Sequence, residues 1–135
     1  MGLSITYDCF EGSYSYFNEW RNAIASALGY KLESYDYLGK KMFYIAVNKG
    51  LRTKKHLGGV WENPPKDVIQ ILFVHSDCDG IIQSKYCSSL ADRLKEILAI
   101  LLEEKTPYYN NHATTQLFIE GLRKAAKDGA DIEFC

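Results

Sequence analysis

The chain has 135 residues, close to the commonest size for one domain and long enough to bury a core without disulfide or metal staples. Its 16 Lys and Arg against 17 Asp and Glu leave a formal charge of -1, which excludes a global field drawing it to nucleic acid or to an anionic membrane. Apolar stretches such as Ile97 to Leu102 fall far short of a membrane span, and the Met1 end lacks the charged-then-apolar pattern of a secretory leader, so a soluble cytoplasmic protein is expected.

Leu3 to Tyr7 alternates apolar and polar residues in the manner of a half-exposed strand, and Asp8-Cys9-Phe10-Glu11-Gly12 breaks it. A helix should follow. Ser13 or Ser15 can cap it, Phe17, Trp20, Ile24, Ala27 and Leu28 share one face, and Gly29 stands where a left-handed C-cap is expected. Between Tyr30 and Pro65 the pattern weakens: Met42 to Val47 is short enough to be a strand or a buried helix. Residues 48–66, with Arg52, Lys54, Lys55, His56 and Gly58-Gly59, read as an irregular connection exposed to water. Trp61-Glu62-Asn63-Pro64-Pro65 stiffens the approach to an almost wholly apolar run, Val68 to Val74, which reads as a central strand.

Apolar residues recur at three- and four-residue spacing from Cys87 to Leu102, which predicts a long helix from Ser84 to about Glu104, ended by Pro107. Another spans roughly Asn111 to Lys127, with Leu117, Phe118, Leu122 and Ala125 on one side and Gly129 as its stop. Asp131 to Cys135 alternates like a final strand. These elements predict an α+β fold in which residues 1–135 make a single domain, with one sheet of three or more strands covered by at least three helices. An α/β fold is the alternative.

The densest polar chemistry is His75-Ser76-Asp77-Cys78-Asp79-Gly80, between the apolar run and the helix from Ser84. Parallel-type sheets bind ligands at strand ends, where the next helix presents unpaired N–H groups. In an extended segment His75, Asp77 and Asp79 would share a face and could converge on a divalent cation such as magnesium or manganese. An EF-hand is excluded, because Tyr86 stands where its bidentate Glu belongs. Cys78 is a candidate nucleophile with His75 as base, although two flanking carboxylates would raise its pKa. Asp8, at the end of the first strand, and Arg21, free to pair with Asp77 or Asp79, are candidate members of the same ligand site. Helix capping and turn formation account for the same residues equally well.

Four cysteines, Cys9, Cys78, Cys87 and Cys135, are too scattered for a disulfide framework and include no C-x-x-C pair, so reduced thiols without structural zinc are expected. Trp20 and Trp61 read as core or interface. Tyr7, Tyr14, Tyr16, Tyr30, Tyr35, Tyr37 and Tyr44 crowd the first third of the chain. With the basic Arg52 to His56 segment they form a candidate contact surface for a protein partner. Two functional classes follow: a metal- or small-ligand-binding domain with a hydrolase as its enzymatic extension, and a protein-interaction module of accessory or immunity type. Nucleic-acid binding would need a basic groove with interleaved aromatics, which the neutral charge argues against.

The string H-x-D-x-D-G resembles the first motif of DHH-type phosphoesterases, which hydrolyse phosphoesters with two metals. That resemblance covers about six residues, and Asn110-Asn111-His112 is a poor substitute for the downstream Asp-His-His element. Over nearly everything outside residues 30 to 60, the chain resembles a family of small bacterial and phage-associated proteins. The likeness rests on Cys9-Phe10-Glu11-Gly12-Ser13-Tyr14-Ser15 with Phe17 and Trp20-Arg21, on HSDCDGII, on Leu90-Ala91-Asp92-Arg93-Leu94, on Phe118-Ile119-Glu120-Gly121-Leu122-Arg123 and on Ile132-Glu133-Phe134. It implies a bacterial, intracellular, single-domain protein and no catalytic assignment.

Overall fold

The structure, a computed structural model, describes residues 2–37, 40–48, 51–54, 59–76, 79–101 and 111–135, with 33–37, 40–48 and 51–54 described by their backbone. Strand β1 (Gly2–Ile5) turns Leu3 and Ile5 inward, as its alternation requires. Strand β2 (Phe10–Ser13) pairs with it antiparallel where composition alone reads a break. The turn between them carries positive φ at both central residues, Tyr7 (60°) and Asp8 (55°). Hairpin turns of this kind ordinarily recruit Asn-Gly, so Tyr-Asp conceals the hairpin.

Helix α1 (Tyr14–Ala27) begins as expected, with Ser13 Oγ accepting the Tyr16 N–H at 3.1 Å. It ends at Gly29 (φ 80°), where the Tyr30 N–H reaches Ala25 O and the Gly29 N–H reaches Ser26 O, the paired bonds of a Schellman cap. Its buried stripe is Phe17, Trp20, Arg21, Ile24 and Ala25. Strands β3 (Lys31–Tyr37), β4 (Lys40–Asn48) and β5 (Leu51–Lys54) follow as an antiparallel meander, which makes Met42 to Val47 strand. The reading of 48–66 as an irregular exposed connection is corrected at two places: β5 lies within it, and Gly59 is buried. Lys55, His56 and Gly58 lie outside the described residues.

The run Val68 to Val74 is not a strand. It coils through successive bonds, Leu72 N–H to Ile69 O, Phe73 N–H to Ile69 O and Val74 N–H to Gln70 O, around a short helix α2 (Gln70–Phe73). An apolar run of this length satisfies a buried strand or a buried helix equally, and here Asp67 Oδ1 accepts the Ile69 N–H at 3.2 Å and opens the helical path. Strand β6 (Ile81–Ile82), helix α3 (Ser84–Leu101), helix α4 (Asn111–Asp128) and strand β7 (Ile132–Glu133) complete the order. Gly129 (φ 66°) ends α4 with the same paired bonds as Gly29, to Ala125 O and Ala126 O.

The expected single sheet under helices is therefore corrected. With no central strand to gather them, the strands fall into three separate sheets, β1-β2, β3-β4-β5 and β6-β7. All pairings among the described residues are antiparallel, which also removes the α/β alternative. A bridge between Ile5 and Phe134, with Cys135 N–H donating to Ser4 O at 2.8 Å, stitches the C-terminal strand to β1. The core lies between α1, α3 and α4: Trp20 packs 5.1 Å from the Phe118 ring and donates to Thr115 Oγ1 at 2.9 Å.

Asp67 also anchors α3. Arg93 grips its carboxylate with two bonds, of 3.1 and 3.0 Å, and Tyr30 donates to it at 2.9 Å. Burial acts upward on this carboxyl, but the bonds from Arg93, Tyr30 and Ile69 outweigh it and hold the pKa below the ordinary Asp value. A folded-state pKa below the unfolded one contributes stability that is full above the ordinary Asp range and is lost as pH falls through the folded value. Asp67→Asn is therefore expected to lower stability by about 1–2 kcal/mol at pH 7. In urea melts that deficit should shrink below pH 4.

Candidate functional site

Arg21 stands four residues after Phe17 and three before Ile24, squarely on the apolar stripe of α1, and is 1% exposed. Its guanidinium lies 4.7 Å from the centre of the Phe17 ring and donates to Asn18 Oδ1 and to the carbonyls of Leu72 (3.2 Å), Phe73 (3.5 Å) and His75 (2.5 Å). The Leu72 carbonyl also accepts the His75 N–H at 3.3 Å, whereas those of Phe73 and His75, at and just past the helix end, are met by the guanidinium. A planar cation with several fixed donors satisfies them together, and a helix C-terminus favours positive charge. Arg21 is a built-in cap for α2. The sequence signal for this role was a charge placed at core spacing.

His75 follows directly and is 2% exposed. Its Nδ1 lies 2.8 Å from Ser76 O and its Nε2 2.8 Å from Ile81 O, while Phe134 stacks on the ring at 3.9 Å. Gly59 closes the remaining side: a Cβ there would stand 2.9 Å from Nε2 and 1.8 Å from Ile81 O, and the backbone adopts φ 76°. To bind a metal, either nitrogen would have to surrender its carbonyl. Asp79 is exposed, and Asp77 and Cys78 lie outside the described residues. Among the described residues no group of three or more His, Cys, Asp or Glu side chains is placed to hold a metal ion.

The start of α3, the expected anion cradle, is engaged as well. Asp131 reaches across from the C-terminal strand and accepts the Ser84 N–H at 2.8 Å. No local pattern announces this contact, because 47 residues separate the two. Buried thiols offer no nucleophile either: burial pushes Cys9 up to about 12, aided by Cys87 and Asp8, and burial with Asp131 raises Cys87 to about 11. His75 and Arg21 are brought together, through backbone rather than around a ligand.

Asp8 sits elsewhere. The hairpin turn is strapped along α4, where Gly121 permits the approach: a Cβ would meet Cys9 Sγ at 2.4 Å and Tyr7 O at 2.8 Å. Tyr7 donates to Asp128 at 3.0 Å, and this carboxylate raises the Tyr7 pKa. Beside the strap a half-open groove of about 150 Å³ is lined by Ser4, Ile5, Asp8, Phe10, Glu11 and Leu117. Leu117, expected on the buried side of α4, is 45% exposed, because it stands one position off the Phe118, Leu122, Ala125 stripe.

Of the tyrosines whose side chains are described, Tyr14, Tyr16 and Tyr30 are engaged within the molecule. Tyr16 shares a hydrogen bond of 2.6 Å with Thr114, Tyr30 is tied to Asp67, and Tyr14 packs against the core. The side chains of Tyr35, Tyr37, Tyr44, Arg52 and Lys54 lie outside the described residues. No helix among the described residues is long and apolar enough to cross a membrane. No protein-family model, no curated protein and no solved structure matches this chain.

Proposed function

We propose that this chain is a protein-interaction module whose anchoring surface is the groove between the β1–β2 turn and α4. The observation that carries the reading is the groove lining, in which the carboxylates of Asp8 and Glu11 stand with the apolar Ile5, Phe10 and the exposed Leu117. A partner segment with an apolar side chain next to a lysine or arginine complements both features. The cavity accepts one such side chain. The full contact therefore extends beyond it, since stable interfaces bury on the order of 1,200–2,000 Å². The free thiols Cys9, Cys87 and Cys135 fit a reducing compartment, which supports a cytoplasmic setting of the kind the family resemblance implies.

Titration of the labelled protein with two peptides, Ac-Leu-Lys-Leu-Lys-NH2 and Ac-Leu-Glu-Leu-Glu-NH2, tests this by NMR. Shifts should appear for the basic peptide alone, cluster at Ser4 to Glu11 and Leu117, and weaken with added salt. Asp8→Gly separates binding from folding. It relieves a left-handed non-glycine residue, stabilising the protein by about 1 kcal/mol, while weakening the basic peptide. Equal binding of both peptides, or shifts centred elsewhere, would remove the groove from consideration.

A further inference from the structure

We propose that His75 is a doubly protonated imidazolium in the folded protein, and that its second proton lets one ring clasp the Ser76 and Ile81 carbonyls together. Both ring nitrogens point at backbone carbonyl oxygens, at 2.8 Å each, and a carbonyl only accepts hydrogen bonds. A neutral imidazole carries one N–H. One of the two contacts would then set a nitrogen lone pair against an oxygen lone pair at hydrogen-bond distance, inside a site that is 2% exposed. Turning the ring over gives no escape, because carbons would then face both oxygens. Only the imidazolium, with two donors, satisfies the pair.

The surroundings suit the charged ring. Phe134 stacks on one face, and the backbone of Gly59 walls off Nε2. Burial and Arg21, which donates to the His75 carbonyl, oppose the second charge, whereas the two carbonyl oxygens and the Phe134 face favour it. The carbonyls belong to the two ends of the loop, so one ring ties residue 76 to residue 81. Losing the proton breaks one tie and frees one end.

The sign of the pH dependence follows. A histidine whose folded pKa exceeds its unfolded value of about 6.5 contributes stability that is full below that pH and is lost as pH rises through the folded value. Long-range proton–nitrogen NMR on the histidine-labelled full chain reads the ring directly, with assignment by the contact between His75 and the Phe134 ring. The expected result is two N–H protons on His75 at pH 7 and a titration midpoint above 6.5. Amide exchange at Ser76 to Ile81 should then accelerate across that midpoint by more than its intrinsic rise with pH. A single N–H at pH 6, or a midpoint below 6.5, overturns the imidazolium; unaltered loop exchange across the midpoint overturns the clasp. His75→Gln, with one donor group at the ring's position, should lose the pH dependence of the loop, and the wild-type spectrum decides the question if that variant does not fold.

Discussion

Gly59→Ala is expected to destabilise the protein by about 4 kcal/mol or more, the range reserved for strain at a special backbone position combined with steric conflict. The added methyl would stand 1.8 Å from Ile81 O and 2.9 Å from His75 Nε2, on a backbone already at φ 76°. Neither neighbour can retreat cheaply. Ile81 O is held by the His75 ring, and β6 is paired with β7 through Ile81 and Glu133. The chain beyond Gly59 is pinned too, since the Trp61 N–H donates to Gln83 Oε1 at 2.7 Å and Tyr86 donates to Trp61 O at 3.2 Å. Gly129→Ala supplies the control: its φ is 66°, but a Cβ there meets nothing within 4 Å. It should cost only about 1 kcal/mol, the left-handed penalty by itself. Urea unfolding of the two variants separates clash from backbone strain, and equal losses would show that the docking of Gly59 against the loop is not tight.

Arg21→Met should lower stability by about 2–5 kcal/mol, on the order of 1–3 kcal/mol for each buried carbonyl left without a donor. Methionine fills much of the volume and keeps the stripe apolar, so the loss reports the orphaned carbonyls of Phe73 and His75 rather than a cavity. Arg21→Lys should recover only part of the deficit, because a single ammonium cannot span three carbonyls and Asn18 Oδ1 at once. Loss of protection should be greatest at Leu72 to His75 in hydrogen exchange. A near-neutral Arg21→Met would show that α2 is held by apolar burial alone and that the arginine is ornamental to it.

Arg21 and His75 serve the backbone in the structure, not a ligand. His75, Asp77 and Asp79 share a face only if the segment is extended, and the apolar run before them has a length that fits strand and helix alike. The run coils, and its end requires a cap. Arg21 satisfies carbonyls at the end of α2, and His75 joins the ends of the loop that follows. The groove was invisible for a different reason. Asp8, Glu11 and Leu117 come from the hairpin and from α4, more than a hundred residues apart, and no local pattern links them.

By itself, the sequence determined α1 and α4 with their ends and the start of α3, whose expected run to Glu104 and stop at Pro107 lie outside the described residues. Apolar spacing set the buried stripes of α1, α3 and α4, Ser13 opened α1, and Gly29 and Gly129 closed α1 and α4 through left-handed caps. Such features depend on residues within a turn or two of one another, so periodicity and capping chemistry reveal them. Tertiary structure decided the state of Val68 to Val74, the division of the strands into three sheets and the orientation of His75. Each of these turns on which distant group satisfies a backbone donor or acceptor: Arg21 for the end of α2, Asp131 for the start of α3, β1 for the C-terminal strand. A buried peptide group must find a partner, and in this chain the partner often lies dozens of residues away.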